Sequence, residues 1–270
     1  MLHAIGALVG WLIFLAGGRY AARTRSNLLQ SGLGAALGGD GRLLRESVTE
    51  AGKGALETLA IWLRPEQSVL RLVRACHGWE HVDSARARGR GIIFISPHLG
   101  AFELANLFLS SRLPLTFLYS PPRQRWLEPL MRAGRERGEA RGAAADIGGV
   151  KKLLKVLRAN GAIGILPDQV PGRGEGAWVD FFGRPAYTMT LIARLLHTTG
   201  AAAILVRVRR LAWSRGFEVE LMPFEPAQRD DVVVTTSELN RAVEGLIRAC
   251  PSQYLWSYNR YKVPAGVSPP

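Results

Sequence analysis

Short apolar runs alternate with amphipathic helical patterns along most of this 270-residue chain. Five runs have the length and composition of buried strands, at residues 91–95, 115–119, 162–166, 203–208 and 217–222. Between several of them apolar residues repeat at helical spacing, as in Val150, Leu153 and Leu157. Thr235 and Glu238 have the spacing of a capping box, which predicts that the last helix begins there. Because alternating strands and helices pack as layers, the sequence predicts an α/β fold.

The composition restricts the classes of partner. With 47% hydrophobic and 21% charged residues, the chain is expected to fold rather than to remain disordered. Lysine and arginine exceed aspartate and glutamate, 35 against 22, which gives a formal net charge of +13. Such an excess attracts nucleic acid, anionic lipid headgroups or an acidic protein. No nucleic-acid-binding motif accompanies the charge, so we expect no nucleic acid partner. Cys76 and Cys250 lie too far apart for metal or redox spacing.

The beginning of the chain has the composition of a membrane segment. Residues 4–18 carry no charge, and Arg19, Arg23 and Arg25 follow at once. The pattern predicts an N-terminal membrane helix within residues 1–25, followed by one domain over residues 26–270. Cations after the apolar run predict that this domain lies on the cytoplasmic face. Two alternatives remain: a helix that lies in the membrane interface, and an ordinary core helix.

One histidine follows the first predicted strand. Ser96 and Pro97 end that strand, His98 comes next, and Glu103 lies five positions later in the first turn of an amphipathic helix. The spacing suits a contact if the imidazole folds back toward the carboxylate, which then holds one ring nitrogen. The other nitrogen is free to take a proton from a substrate hydroxyl. The alternative is a turn histidine followed by a solvated glutamate.

Polar and basic residues near other predicted strand ends are further candidates. Asp168 follows the 162–166 run, at the carboxyl end where α/β proteins place ligands. It either orients an acceptor, or tunes the charge around His98, or is an ordinary turn aspartate. Cations that suit phosphates or an acidic protein crowd two segments, and they are Arg123, Arg125, Arg132, Arg135, Arg137, Arg141, Lys151, Lys152, Lys155 and Arg158.

The order of these motifs resembles the bacterial lipid A biosynthesis acyltransferases. The apolar strand, Pro-His-Leu-Gly and the following glutamate are similar to the His-x4-Asp/Glu motif of acyltransferases. Further blocks follow in the order that the family has, at residues 25–28, 89–91, 134–137, 166–169, 181–186, 254–257 and 260–262. The resemblance covers most of the chain, and the ordered blocks are more specific than the histidine motif alone.

The resemblance implies a fold, a reaction and a set of site residues. The fold is the glycerolipid acyltransferase type, a helix-flanked mixed sheet with the histidine motif at one edge of a substrate groove. The reaction is O-acyl transfer from acyl carrier protein to a hydroxyl of a lipid A precursor at the inner membrane, without metal or bound cofactor. His98 is the expected general base and Glu103 its orienting carboxylate. Substrate contacts are expected at Arg135, Arg137, Asp168, Gln169, Arg260 and Lys262.

Some positions depart from the family pattern and leave the acceptor open. Ser120 stands where the family commonly has arginine after a tyrosine, and the 256–262 segment keeps only Arg260 and Lys262 of a more basic block. Fewer cations favour, as an alternative, a lysophospholipid or another glycolipid as acceptor with the same chemistry. A second alternative is a catalytically silent protein that binds the anionic membrane surface or acyl carrier protein.

Overall fold

A computed structural model describes residues 1–36, 39–122 and 124–270, so Arg123 of the predicted basic segment lies outside it. Over these residues the helices are α1 Leu2–Leu15, α2 Gly18–Ser31, α3 Leu33–Ala36, α4 Asp40–Leu63, α5 Glu66–Leu70, α6 Trp79–Ala87, α7 Phe102–Ser110, α8 Glu128–Arg135, α9 Ile147–Arg158, α10 Leu191–Thr199 and α11 Val232–Ala249. The strands are β1 Val73–His77, β2 Ile92–Ile95, β3 Leu115–Tyr119, β4 Ala140–Ala144, β5 Ala162–Ile165, β6 Gly176–Phe181, β7 Arg184–Met189, β8 Ala202–Arg210 and β9 Phe217–Phe224.

Seven strands form one mixed sheet, in the order β1-β9-β8-β2-β5-β3-β4. All neighbours in it are parallel except β8 and β9, which form an antiparallel hairpin. Strands β6 and β7 pair as a separate antiparallel hairpin. The predicted α/β architecture, with a mixed sheet flanked by helices, is therefore confirmed.

Strand β2 lies near the middle of the sheet and is buried along its whole length. Its side chains alternate between two hydrophobic cores: Ile93 and Ile95 belong to one, and Ile92 and Phe94 to the other. A strand covered on both faces needs a continuous apolar run, which is the pattern that the sequence carries here. The polar residues after β2 thus emerge from a rigid, fully packed element.

The structure confirms all five predicted strands to within a few residues and differs from the sequence pattern elsewhere. Strands β1, β4, β6 and β7 were not predicted from the sequence. The last helix begins earlier than the expected capping box, because Asp231 is the N-cap and accepts hydrogen bonds from the backbone of Val233 and Val234. Glu238 instead accepts from the backbone N–H of Ala227, so its contact lies before the helix.

The first helix packs against the fourth. Glycines allow a close approach: a methyl group at Gly10 would lie 2.4 Å from the carbonyl oxygen of Val48, and one at Gly52 would lie 2.0 Å from that of Gly6. Among the described residues, no helix alone has the length and hydropathy to cross a membrane. Helices α1 and α2 meet those criteria only together, and they are bent by 99° at their junction.

The turn between β2 and α7 depends on a glycine. Gly100 has φ of +62°, and a Cβ there would lie 2.0 Å from the carbonyl oxygen of Val208. Its N–H donates to the carbonyl of Gln253 at 2.9 Å, and the N–H of Leu255 donates to that of His98 at 3.0 Å. Strand β8 and the segment after α11 therefore fix the path of the chain at His98.

Gly100→Ala is expected to lower the free energy of unfolding by about 2–4 kcal/mol, because alanine combines a left-handed backbone with a clash against backbone. Thermal or denaturant unfolding measures this. Gly245→Ala in α11 is the matched control, since a Cβ there meets nothing within 4 Å and alanine favours the helix. Equal unfolding of the two variants would contradict the tight fit at Gly100.

Candidate active site

The side chain of His98 is held by Asp168. The Nδ1 atom of His98 lies 2.8 Å from Oδ1 of Asp168, and the backbone N–H of His98 donates to Oδ2 at 2.9 Å. Asp168 follows β5, the parallel neighbour of β2, so the two residues meet at the carboxyl ends of adjacent strands. One carboxylate thus fixes both the ring and the backbone of the histidine.

The second ring nitrogen of His98 faces a cleft. Its Nε2 lies 3.2 Å from Nε2 of Gln169, and the ring packs at 4.8 Å, centroid to centroid, against Phe102. With the proton on Nδ1, directed to Asp168, Nε2 carries the free lone pair and accepts from the amide. A substrate hydroxyl that replaces this amide would find a base already in the required tautomer.

The charge of the pair is favourable to catalysis. Burial acts to raise the pKa of Asp168, but the positive charge of His98 and its two hydrogen bonds outweigh burial. The net effect holds the pKa of Asp168 below its usual value. The carboxylate therefore remains ionised at neutral pH and stabilises imidazolium when His98 takes up a proton.

Glu103 makes a different contact from the one expected. Its buried carboxylate accepts from Nε of Arg135 at 2.9 Å, again from Nη2 of that arginine, and from the indole N–H of Trp62 at 3.1 Å. In the part of the chain that the structure describes, Glu103 and His98 share no hydrogen bond, so the predicted contact is corrected. The reason is geometric: Gly100 turns the chain so that the imidazole meets Asp168, while α7 directs Glu103 toward α8.

Arg135 pairs with the buried Glu103 and also lines the cleft. Burial acts to lower the pKa of Arg135, but the hydrogen bonds and charge of Glu103 raise it overall. The guanidinium stays charged, and 22% of its side chain remains exposed. Arg135 lines the same cleft as His98, and its contact with a substrate stays a prediction.

A cleft of about 630 Å³ opens beside the imidazole. That volume lies in the range of about 300–1,000 Å³ typical of small-molecule sites. Two additional cations, Lys151 and Arg194, lie on its wall. Apolar side chains form much of the rest: Leu118, Met131, Val150, Leu166, Val170, Met189 and Leu191. Two carboxylates also line the cleft, Asp146 and Glu175, and they accept from the backbone N–H groups of Gly149 and Gly172. The apolar walls and the cations suit a molecule that has both a hydrocarbon part and an anionic part.

Two predicted substrate contacts have structural roles instead. Arg137 donates to the carbonyls of Ile61 and Arg64 at 2.5 and 2.8 Å, and so caps the end of α4. Arg260 is 2% exposed and donates to the carbonyl of Tyr187 at 3.1 Å and to the hydroxyl of Thr188 at 2.6 Å. Neither guanidinium is directed into the cleft, so both assignments are corrected.

The last segment of the predicted site, residues 254–262, packs beside Asp168 and the cleft wall. Burial, followed by the charge of Asp168, raises the pKa of Tyr254 well above its usual 10.0. Lys262 is exposed, with Nζ 5.7 Å from the ring centroid of Tyr258. The hydroxyl of Tyr258 accepts from the backbone N–H of Val170 at the cleft wall. Lys262 therefore lies beside Tyr258, which contacts the cleft wall, and is not itself one of the cleft-lining residues.

Sequence reasoning missed part of the site. Trp62 lies in the last turn of α4, and nothing in its local sequence signals a hydrogen bond to Glu103. Arg194 is the single arginine of α10 and lies outside the two predicted basic segments. Lys151 was recognised only as one cation of a basic helix. These residues meet through tertiary packing, which leaves no local pattern.

The fold and the site define a class of protein. They combine a helix-flanked mixed α/β sheet with a histidine–carboxylate pair at the end of a buried strand, in a cleft with apolar and cationic walls. The model of the bacterial lipid A biosynthesis acyltransferase family matches residues 1–263. The chain belongs to this family, and acyl transfer in lipid A biosynthesis is the activity that the family membership supports.

Curated relatives agree with that membership. A lipid A biosynthesis lauroyltransferase of Escherichia coli K12 is 26% identical over 229 residues, which cover 84% of this chain and 74% of that protein. A palmitoleoyltransferase of the same pathway and organism is 25% identical over 232 residues, with the same coverage. A lipid A biosynthesis acyltransferase of Haemophilus influenzae is 28% identical over 180 residues, 66% of this chain and 56% of that protein. The two Escherichia coli relatives differ in the acyl group named.

Proposed function

We propose that the protein transfers a fatty acyl chain from an acyl carrier protein thioester to a hydroxyl of a lipid A precursor, at the cytoplasmic face of the inner membrane. The observation that carries the reaction is the imidazole of His98, held by Asp168 with Nε2 open to the cleft. The acceptor proposal rests on the family and on Arg135, Lys151 and Arg194 around an apolar cleft. The chemistry requires neither a metal nor a bound cofactor.

The proposed reaction begins with proton transfer to His98. Nε2 takes the proton of the acceptor hydroxyl as its oxygen attacks the thioester carbonyl carbon. Negative charge develops on the carbonyl oxygen, and Arg135 supplies positive charge at the same cleft. The intermediate then collapses: the carbon–sulfur bond breaks, the ester forms, and the thiolate recovers the proton from the imidazolium.

Each site residue has a role in this proposal. His98 is the catalytic base, and Asp168 orients its ring and stabilises imidazolium. Gln169 occupies the position of the acceptor hydroxyl until substrate binds. Glu103 acts through another residue: it fixes the guanidinium of Arg135. Glu103 therefore acts on the guanidinium of Arg135 and not on the imidazole of His98.

The acyl donor and the membrane location are supported by charge and by the N-terminal segment. A net charge of +13 suits an acidic carrier protein and an anionic lipid surface. The apolar stretch followed by Arg19, Arg23 and Arg25 supports residues 1–25 as the membrane-contacting part and residues 26–270 as the acyltransferase domain. Positive charge after an apolar segment favours the cytoplasmic side.

His98→Ala is expected to lower kcat for this transfer by about 10²–10⁴-fold, because the general base is lost. The assay follows acyl transfer from acyl carrier protein to purified lipid A precursor dispersed in detergent. His197→Ala is the control, since His197 is exposed and its side chain contacts the exposed Asp230 on the protein surface. Equal turnover of wild type and His98→Ala would contradict the role of His98. No turnover by wild type would reject this acceptor, and lysophospholipids are the next acceptors to assay.

A further inference from the structure

One face of α1 is apolar and uncovered. Ile5, Leu8, Leu12 and Leu15 are 47%, 61%, 59% and 72% exposed. Their spacing places them on one side of the helix, opposite the glycines that pack on α4. We call these four residues the α1 apolar face. Leucine and isoleucine at such exposure in successive turns form a patch of the kind that marks a contact surface.

A junction of polar side chains fixes α1 to the domain. Nε2 of His3 lies 2.5 Å from Oε1 of Glu57 in α4, and Nε of Arg210, the last residue of β8, donates to the same oxygen at 2.6 Å. The other ring nitrogen of His3 lies 3.0 Å from the hydroxyl of Ser214 in the β8–β9 turn. Helix α1, helix α4 and the hairpin turn therefore meet at one point.

The residue before Ser214 is the most exposed tryptophan in the described chain. Trp213 is 92% exposed, with φ of +59°, and Ser214 is also left-handed with φ of +55°. A left-handed backbone is unfavourable for a side chain of this size. Adjacent structure holds the turn: Leu211 N–H donates to the carbonyl of Gly216, and Ser214 contacts His3. The indole is thus held away from the protein surface, beside the start of α1.

Cations accompany both apolar features. Arg19, Arg23 and Arg25 are exposed at the beginning of α2, directly after the α1 apolar face. At the hairpin, Arg215 is exposed and its carbonyl accepts from Nε of the exposed Arg74 at 2.8 Å. The nearby acidic residue, Glu218, is paired with Arg209. Among the described residues these exposed arginines form no ion pair, and apolar side chains flanked by such cations match the acyl chains and anionic headgroups of a membrane surface.

We infer that the β8–β9 turn, through Trp213, is a second membrane contact that acts together with the α1 apolar face. The inference rests on the membrane location in the proposed function and adds a site to it. Tryptophan suits this position because its ring is apolar and its N–H stays hydrated at the headgroup level. Since the His3 junction links the two contacts, they bind the bilayer as one rigid surface and fix how the catalytic domain stands on it.

Vesicle sedimentation tests the contact with the full chain. Trp213→Ser is expected to weaken binding to phosphatidylglycerol–phosphatidylethanolamine vesicles about tenfold, the loss appropriate to one buried indole. The matched control is Trp126→Ser, since Trp126 is also exposed, at 77%, but lies outside the surface described. Leu8→Ser on the α1 apolar face is expected to give a loss like that of Trp213→Ser. Equal losses for the two tryptophan variants, or none for Trp213→Ser, would overturn the inference.

A fluorescent label locates the turn directly. A polarity-sensitive dye is attached to Trp213→Cys in a Cys76→Ser background, where the remaining Cys250 is buried. Blue-shifted emission on adding anionic vesicles is expected, and no shift for the same dye on Trp126→Cys. An unshifted dye at position 213 in vesicle-bound protein would show that α1 binds alone and overturn the second contact. If acyl carrier protein binds this turn instead, the dye emission shifts when that protein is added without vesicles. This result would also overturn the membrane contact.

Failure of this inference is separable from failure of the proposed reaction. Acyl transfer to detergent-dispersed acceptor needs no vesicle, so Trp213→Ser is expected to keep the wild-type kcat there. If Trp213→Ser keeps the wild-type turnover in detergent and also binds vesicles as tightly as wild type, the second membrane contact is overturned and the proposed reaction is not. Loss of detergent turnover in Trp213→Ser, with an unchanged melting temperature, would place the turn in donor or acceptor binding and overturn the membrane contact.

Discussion

Asp168→Asn is expected to lower kcat on the order of 10³-fold with little change in KM. An asparagine has no charge to stabilise imidazolium, and its amide does not enforce the tautomer with the proton on Nδ1. The change is measured in the same acyl-transfer assay as for His98→Ala. Asp230→Asn is a matched control, because Asp230 also contacts a histidine Nδ1, at 3.1 Å, but on the exposed surface. An Asp168→Asn enzyme with wild-type kcat would show that the His98–Asp168 contact is only structural.

The same substitution has a signature in the pH dependence of stability. The pKa of Asp168 is lower in the folded protein than its usual 3.8, so the unfolded chain binds the proton more tightly. The stabilisation from this carboxylate is therefore complete above its unfolded pKa and is lost as pH falls through the folded pKa. The free energy of unfolding, measured from neutral to acidic pH, should fall less steeply in Asp168→Asn than in wild type. The same dependence on pH in both proteins would contradict the lowered pKa.

Arg135→Met is expected to lower the free energy of unfolding by about 3–5 kcal/mol, because it leaves the buried carboxylate of Glu103 without its cation. The double variant Glu103→Gln with Arg135→Met should recover much of the loss, since no charge then remains unpaired. Denaturant unfolding measures both. Arg132→Met, in a solvent-exposed pair with Glu136, is the control and should leave stability unchanged.

Kinetics of the same variants separate the proposed roles of the pair. If Glu103 acts only by fixing Arg135, the double variant regains stability but not kcat. Glu103→Gln is then expected to lower kcat about as much as Arg135→Lys does. A Glu103→Gln variant that instead displaces the pH profile of kcat toward that of Asp168→Asn would indicate that Glu103 acts on His98. The contact seen here with Arg135 would then not be the one used in catalysis.

Much of the fold follows from local patterns. Strand β2 is buried on both faces, so its sequence is a continuous apolar run that can be read without a structure. Strand β4 is not, since its sequence Ala-Arg-Gly-Ala-Ala at an edge of the sheet carries neither β-branched residues nor alternation. Helix α11 was predicted, but its start was not, because Asp231 and Thr235 are both good caps and the structure uses the first.

The candidate site also has a part that the local sequence predicts and a part that it does not. His98 and Asp168 were predicted because each follows a recognisable strand, and parallel neighbours bring their carboxyl ends together. The partner of Glu103 was not predictable, because its cation, Arg135, lies 32 positions away in sequence and that separation carries no periodicity. Arg260 resembles a substrate contact in sequence, yet the structure buries it against Tyr187 and Thr188. The local sequence predicts where strands end and which residue types follow them. Which side chains pair with one another depends on tertiary packing and is seen only in the structure.

The hydrogen bonds from the segment after α11 to the β2–α7 turn also order events during synthesis. The α1 apolar face leaves the ribosome early, whereas Gln253 and Leu255, which hold the backbone of Gly100 and His98, emerge about 240 residues later. At about 5–20 residues per second this interval lasts on the order of 10–50 s. During that time the nascent chain has its exposed apolar helix but an incomplete turn at His98. The turn therefore takes its final path only after Gln253 and Leu255 have left the ribosome.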